Sequence, residues 1–232
     1  MSDQSRLEVS LRNIAHKSIV DPYSLCGELV GRSLMIVEGL PSTGKTSISN
    51  FVLSEWGKHS TLSYFDTTDA RVQQPLLYYK SGGELSKVYA RQFGAMKEWG
   101  IDKAALNVLD FLVQTKLYNT NQRFIFDRSY LTVMAYMGEW LDLHGNSDKV
   151  EKFGDYCDKL NTVIVYVYAP TKSIMERQRL NKDSLLQFTR EEIDLLQLTY
   201  LRSLMRVKSA LGRTKIILLE NVEKDPSWLH IF

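Results

Sequence analysis

Residues 33–50 read SLMIVEGLPSTGKTSISN, and the fold turns on them. Ser33 to Val37 is an apolar, partly β-branched run, the pattern of a buried strand. Gly39-Leu40-Pro41-Ser42-Thr43-Gly44-Lys45-Thr46 fits G-x-x-x-x-G-K-[ST], with Ser47 directly behind it. Ile48, Phe51, Val52 and Trp56 then recur at helical spacing. Strand, glycine-bearing loop and helix therefore stand in the order that a phosphate-binding loop requires. Gly39 and Gly44 let the backbone turn its N–H groups inward, where they and the helix N-terminus hold phosphate oxygens. Lys45 can reach the β- and γ-phosphates of a nucleoside triphosphate, and the Thr46 hydroxyl can ligate Mg²⁺. ATP and Mg²⁺ are thus the expected cofactors, with residues Gly39 to Ser47 as the nucleotide cradle.

The rest of the composition is that of an ordinary globular chain. Its 232 residues suffice for one large α/β domain or two small ones. With 29 basic and 27 acidic residues the net charge is +2, which gives no electrostatic footprint for nucleic acid as a whole, though a local basic groove stays open. Cys26 and Cys157 form no C-x-x-C pair and read as reduced thiols of a cytoplasmic protein. The four histidines lack metal-ligand spacing, and no apolar run approaches membrane-spanning length.

Residues 1–32 precede the first strand of the motif. Leu7, Val9, Leu11 and Ile14 show no clean period there, so this N-terminal extension is read as a short surface helix or an arm. A second strand is expected over 61–65, followed by the polar loop Thr67 to Pro75. Loops after strand C-termini line the ligand crevice of an open α/β sheet, so Asp69 and Arg71 are candidate substrate contacts. Helices are expected over 85–100 and 102–117. In the first, Tyr89 and Phe93 read foremost as core, with base stacking by Phe93 as the second reading.

Phe124-Ile125-Phe126-Asp127 is a short apolar strand ending in a carboxylate, followed at once by Arg128-Ser129 and a helical pattern. A carboxylate at the tip of a buried strand beside a phosphate loop is placed to hold Mg²⁺ or its water. The alternative role for Asp127 is a helix cap. TVIVYVY (162–168) is the next strand, and Thr171 opens a helix that carries Arg177 and Arg179. With Lys182 and the polar stretch behind them, these cations suit a lid, about 177–188, over transferring phosphates. Thr189 to Glu192 is a capping box for a long helix, and residues 214–219 form a last strand. About five strands separated by helices argue for a parallel sheet covered on both faces, an α/β fold.

Four features together resemble the P-loop nucleoside and nucleotide kinases of the thymidylate kinase and deoxynucleoside kinase group: V-E-G-x-x-x-x-G-K-T at 37–46, F-D-R-S at 126–129, the strand TVIVYVY, and the arginine-bearing segment 177–182. The resemblance covers roughly residues 34–222. It implies a three-layer α/β/α fold with a five-stranded parallel sheet and a lid, in one kinase domain over 33–232. It implies that Asp127 supports Mg²⁺, that Arg128 contacts the acceptor or transferring phosphate, and that Arg177 and Arg179 close over the γ-phosphoryl group. Glu38 matches a position that serves deoxynucleoside kinases as base for the sugar hydroxyl, while monophosphate kinases often carry Glu-Gly there too. One departure is the absence of an arginine from residues 102–114, where the family usually places one.

The expected activity is ATP- and Mg²⁺-dependent phosphoryl transfer to a deoxynucleotide, in the manner of a thymidylate-kinase-like monophosphate kinase. Lys45, Asp127, Arg128, Arg177, Arg179 and Glu38 are the catalytic candidates. Thr46 and Asp127 are the metal candidates, and Asp69, Arg71, Phe93 and Arg128 the substrate contacts. The alternatives are a deoxynucleoside kinase, a kinase of a hydroxyl on a modified base or nucleic acid, and a P-loop NTP-binding regulatory module. A nucleotide or nucleoside is the expected partner; a homodimer is one assembly the sequence permits.

Overall fold

A computed structural model describes residues 3–56, 62–66, 106, 109–110, 112–114, 123–143, 147–180 and 188–221. The expected contacts Asp69, Arg71 and Phe93 lie outside the described residues, as do residues 181–187 of the expected lid, the helix over 85–100 and the tail from residue 222. Of the helix expected over 102–117, residues 106, 109–110 and 112–114 are helical, with Leu106, Leu109 and Leu112 buried.

The strands are β1 (Lys17–Ile19), β2 (Leu34–Glu38), β3 (Leu62–Asp66), β4 (Arg123–Asp127), β5 (Thr162–Tyr168) and β6 (Lys215–Glu220). They form one sheet in the order β1-β6-β5-β2-β4-β3, and every pairing is parallel. The helices are α1 (Asp3–Ile14), α2 (Pro22–Glu28), α3 (Lys45–Trp56), α4 (Tyr130–Leu143), α5 (Ser147–Lys159), α6 (Thr171–Leu180) and α7 (Arg190–Lys208).

Successive side chains of a strand point to opposite faces, and here both faces are apolar. Leu34, Ile36, Phe124, Phe126, Ile164, Tyr166, Ile216 and Leu218 join one core, with Leu11 of α1, Phe153 of α5 and Leu196 and Tyr200 of α7. The residues between them, Met35, Val37, Ile125, Val163, Val165, Ile217 and Leu219, join a second core with Leu25 of α2 and Ile48, Phe51 and Val52 of α3. This is the three-layer α/β/α arrangement expected, with β2 near the middle and the phosphate loop at its C-terminal tip.

The sheet has one strand more than the five expected. Residues 1–32, read as a surface helix or arm, contribute α1, β1 and α2, and β1 pairs with β6 as Lys17 opposite Ile217. The segment is tied down at both ends of β6. His16 exchanges backbone and imidazole hydrogen bonds with Ile216, its N–H donating to the Ile216 carbonyl and its Nδ1 accepting from the Ile216 N–H. At the other end Arg12 Nε donates to Glu220 at 2.9 Å, and the Ser18 hydroxyl donates to the same carboxylate. Three residues with only Ile19 buried are too short for alternation to mark them as a strand.

The capping box expected at α7 is present: the Thr189 hydroxyl accepts from the Glu192 N–H, and the Glu192 carboxylate accepts from the Thr189 N–H at 2.7 Å. Asp158, near the end of α5, closes the turn into β6 by accepting from the N–H groups of Gly212, Arg213 and Thr214.

Candidate functional site

Two glycines shape the loop between β2 and α3. Gly39 has φ +140°, and a Cβ there would lie 2.4 Å from the Val167 carbonyl oxygen on β5. Gly44 has φ +100°, and Ser42 between them also lies in the left-handed region at φ +63°. This alternation turns the chain into a concavity directly ahead of the α3 N-terminus, the cradle an anion needs. Lys45 is buried, and its Nζ donates to the Leu40 carbonyl at 2.6 Å, across the loop. The Thr43 hydroxyl donates to the same carbonyl at 2.8 Å. Thr46 is exposed on the first turn of α3.

Arg177, from the last turn of α6, reaches this loop. One guanidinium nitrogen donates to the Ser42 carbonyl at 3.3 Å, and the other donates to Asn221 Oδ1 at 2.9 Å. Burial alone pulls Arg177 below its ordinary pKa. Asn221 in turn donates from Nδ2 to the Thr43 carbonyl at 2.8 Å. Arg179 is exposed and stands about 200° further round the helix, at about 100° per residue. The two arginines therefore face different surroundings.

On the other side of β2 lies a buried polar cluster. Glu38 has no exposed surface. Its Oε1 accepts from the Ser129 N–H and the Ser129 hydroxyl, both at 2.6 Å, and its Oε2 accepts from the Thr132 hydroxyl at 2.6 Å. The Thr132 proton goes to Glu38, so in the 2.9 Å contact to Tyr200 the phenol is the donor, and the same phenol reaches Glu38 Oε2 at 3.5 Å. Burial raises the Glu38 carboxyl above its ordinary value, against the lowering by Ser129, Thr132 and the Arg128 charge.

Arg128 sits beside this carboxylate with φ +65°, a left-handed conformation that costs a non-glycine residue about 1 kcal/mol or more. Its N–H donates to the Val37 carbonyl at 2.9 Å, and the next N–H, of Ser129, is the one Glu38 holds. The strained turn is thus pinned on both sides by β2. Burial lowers the Arg128 pKa, but Tyr200, Tyr136, Asp127 and Glu38 outweigh it, and the guanidinium ends above its ordinary value, permanently charged. Asp127 is buried at the tip of β4, in register with Val37 of β2 and Asp66 of β3.

The donor set fits Mg²⁺. A hydroxyl at the loop's helix end (Thr46) and a carboxylate at the neighbouring strand tip (Asp127) are hard oxygen ligands. Among the described residues no group of three His, Cys, Asp or Glu side chains could hold an ion alone, and Mg²⁺ held partly by substrate phosphates needs only one or two carboxylates. Likewise, among the described residues no helix is long and apolar enough to cross a membrane.

Of the residues expected from sequence, Gly39 to Thr46, Asp127, Arg128 and Glu38 gather at the C-terminal tips of β2 and β4, and Arg177 joins them. Sequence reading missed Thr132, Tyr136, Tyr200 and Asn221. Ser129, Thr132 and Tyr136 fall at i, i+3 and i+7 on one helical face, a legible signal. Asn221 follows the last strand directly, where crevice-lining residues are expected.

Loop and sheet together define an α/β fold with a P-loop at the tip of a central parallel strand. No protein-family model matches the chain, and no curated protein does. Solved structures of a deoxyadenosine kinase from M. mycoides are similar to it. The form with bound dATP is 18% identical, covers 81% of this chain and 91% of that chain, and gives a TM-score of 0.48. The form with products dCMP and a flexible dCDP is 16% identical over 85% and 95%, with a TM-score of 0.47. The form with bound dCTP is 17% identical over 81% and 90%, with a TM-score of 0.44. Likeness at this level says nothing of what this chain binds.

Proposed function

We propose that this chain is an ATP- and Mg²⁺-dependent phosphotransferase whose acceptor is a deoxynucleoside monophosphate. In the reaction an acceptor phosphate oxygen forms a bond to the γ-phosphorus, the bond from that phosphorus to the β,γ-bridging oxygen breaks, and ADP leaves. The work is positioning and charge neutralisation. The backbone N–H groups of the loop, Pro41 having none, and the Lys45 ammonium hold the donor phosphates, and Arg177 adds a charge at the loop. Thr46 and Asp127 would hold Mg²⁺, which when bound neutralises β- and γ-phosphate oxygens. Arg128 presents a planar fork suited to the acceptor phosphate. Asp69, Arg71 and Phe93 remain proposed acceptor contacts, and Arg179 a proposed closing charge.

The observation that carries this choice is the state of Glu38. Its three short hydrogen bonds come from Ser129 and Thr132, just behind Arg128, the Tyr200 hydroxyl adds a longer one at 3.5 Å, and no surface of the carboxylate is open to an acceptor. It is a brace for Arg128. A phosphate acceptor, with a second pKa of about 6, carries no proton at neutral pH and needs no base. A hydroxyl acceptor does. One observation favours a second reading, a deoxynucleoside acceptor: burial raises the Glu38 carboxyl, as suits a general base.

ADP release with a panel of deoxynucleosides, deoxynucleoside monophosphates and DNA, each with ATP and Mg²⁺, separates these readings. Acceptor-dependent release with a monophosphate supports the first. Release with nucleosides alone supports the second. Release independent of any acceptor leaves the regulatory-module alternative.

A further inference from the structure

Asn221 belongs to no motif, yet it joins three parts of the donor site. Its backbone N–H donates to the Tyr168 carbonyl at 2.8 Å, which fixes it to the end of β5. Its amide nitrogen donates to the Thr43 carbonyl at 2.8 Å, on the phosphate loop. Its amide oxygen accepts from Arg177 at 2.9 Å, and its backbone carbonyl takes a second contact from the same nitrogen at 3.4 Å. The two ends of the amide are assigned by their partners, since a carbonyl must face the nitrogen and a guanidinium the oxygen. Among side chains of this length, only asparagine offers a donor and an acceptor on one planar head. Aspartate would set an oxygen against the Thr43 carbonyl. Asn221 is 3% exposed, so the bridge is buried.

We propose that Asn221 is a positioning residue that holds Arg177 on the phosphate loop before nucleotide arrives, making this arginine a fixed part of the donor cradle rather than an arm delivered by lid closure. The inference rests on the donor-site reading above. It separates the two arginines expected to act together. Arg177 meets ATP already placed, so it contributes to ground-state binding; Arg179, on the exposed side of α6, is the one left for closure. An arginine held in place loses little freedom when a phosphate arrives, and preorganisation of this kind appears as affinity.

The test is a double-mutant cycle read as ATP affinity by calorimetry, without acceptor, on the full chain. Arg177→Ala should weaken ATP binding about 10- to 150-fold, the range for a hydrogen-bonded charge. Asn221→Ala should reproduce most of that loss, and the double variant should bind within about threefold of Arg177→Ala, because coupled residues are non-additive. The KM for the acceptor should stay within about twofold. Should Asn221→Ala not fold, Asn221→Ser is carried through the same cycle with the same expectation. Additive losses, or a raised acceptor KM with ATP affinity intact, would overturn the positioning role while leaving the donor site standing. Absence of ATP binding by the wild-type chain would overturn the donor-site reading and this inference with it.

Discussion

Replacing Glu38 by glutamine keeps the shape of the side chain and removes its charge. If the new amide oxygen faces Ser129, both Ser129 bonds survive, and the amide nitrogen lies against the Thr132 hydroxyl, which already accepts from Tyr200. Thr132 or Tyr200, which share one contact, then loses the acceptor for its proton, and Arg128 loses one neighbouring carboxylate. A lost bond to a charged acceptor is worth about 1.5–3 kcal/mol, offset in part because a buried charge no longer has to be held. The net cost to folding should be about 1–2 kcal/mol, a fall in Tm of a few degrees for a chain of this size. Activity is the sharper readout. As a brace for Arg128, Glu38→Gln should raise the KM for a monophosphate about tenfold and lower kcat by about tenfold at most, 1.4 kcal/mol per factor of ten. The fall of rate at acid pH should keep its position, since it belongs to the acceptor phosphate with its pKa of about 6. As a base, Glu38 must be deprotonated, so rate would fall as pH drops through its raised pKa; the substitution would cost about 10²–10⁴ in kcat and erase that limb. Steady-state kinetics from pH 5 to 9 decide the matter. Loss beyond a hundredfold together with a vanished acid limb, at unchanged Tm, would refute the bracing argument.

Three further outcomes are expected. Lys45→Met preserves most of the buried stem but removes the charge that bridges the loop to Leu40; turnover should fall at least about a hundredfold with Tm within a few degrees, and a fall of under tenfold in the labelled-phosphate assay would remove Lys45 from the donor site. Asp127→Asn should raise the Mg²⁺ concentration for half-maximal rate about tenfold or more, whereas a mere cap would tolerate asparagine with no change in the metal titration. Arg12, with Ser18, holds the Glu220 carboxyl below its ordinary 4.5, against burial. A depressed carboxyl stabilises the fold above its unfolded pKa and loses that contribution as pH falls through the folded value. Arg12→Ala should therefore cost about 1 kcal/mol at pH 7, with the difference from wild type closing as pH drops below 4.5; urea unfolding at pH 7, 5 and 3 measures it. An equal difference at all three values would show that the pair does not carry the effect.

The central part of the fold was legible because its signals are local. An apolar run, two glycines at fixed spacing and a lysine define strand, loop and helix without tertiary knowledge, and Asp127-Arg128-Ser129 declares itself by following a strand. The N-terminal segment was not legible, for a physical reason. Leu7, Leu11 and Ile14 share one helical face at i, i+4 and i+7, but Val9, 45% exposed on the opposite side, blurs the period. β1 has a single buried residue and takes its strand form from pairing with β6, an interaction some 200 residues distant in sequence. In the site, residue types were readable but engagement was not. Glu38 stands at a position that both kinase groups fill with glutamate, and the donors that converge on it from Ser129 and Thr132, with Tyr200 at 3.5 Å, are visible only in the structure. Arg177 and Arg179 are equivalent in a sequence pattern, and only the helix phase sets one on the loop and the other on the surface.

The chemical form of the product tests the central claim most directly. With ATP, Mg²⁺ and a deoxynucleoside monophosphate, phosphorus NMR of the reaction should show the acceptor phosphate converted to a phosphoanhydride, a deoxynucleoside diphosphate formed in step with ADP. A new phosphomonoester on a nucleoside or on DNA, with monophosphates left untouched, would contradict the account.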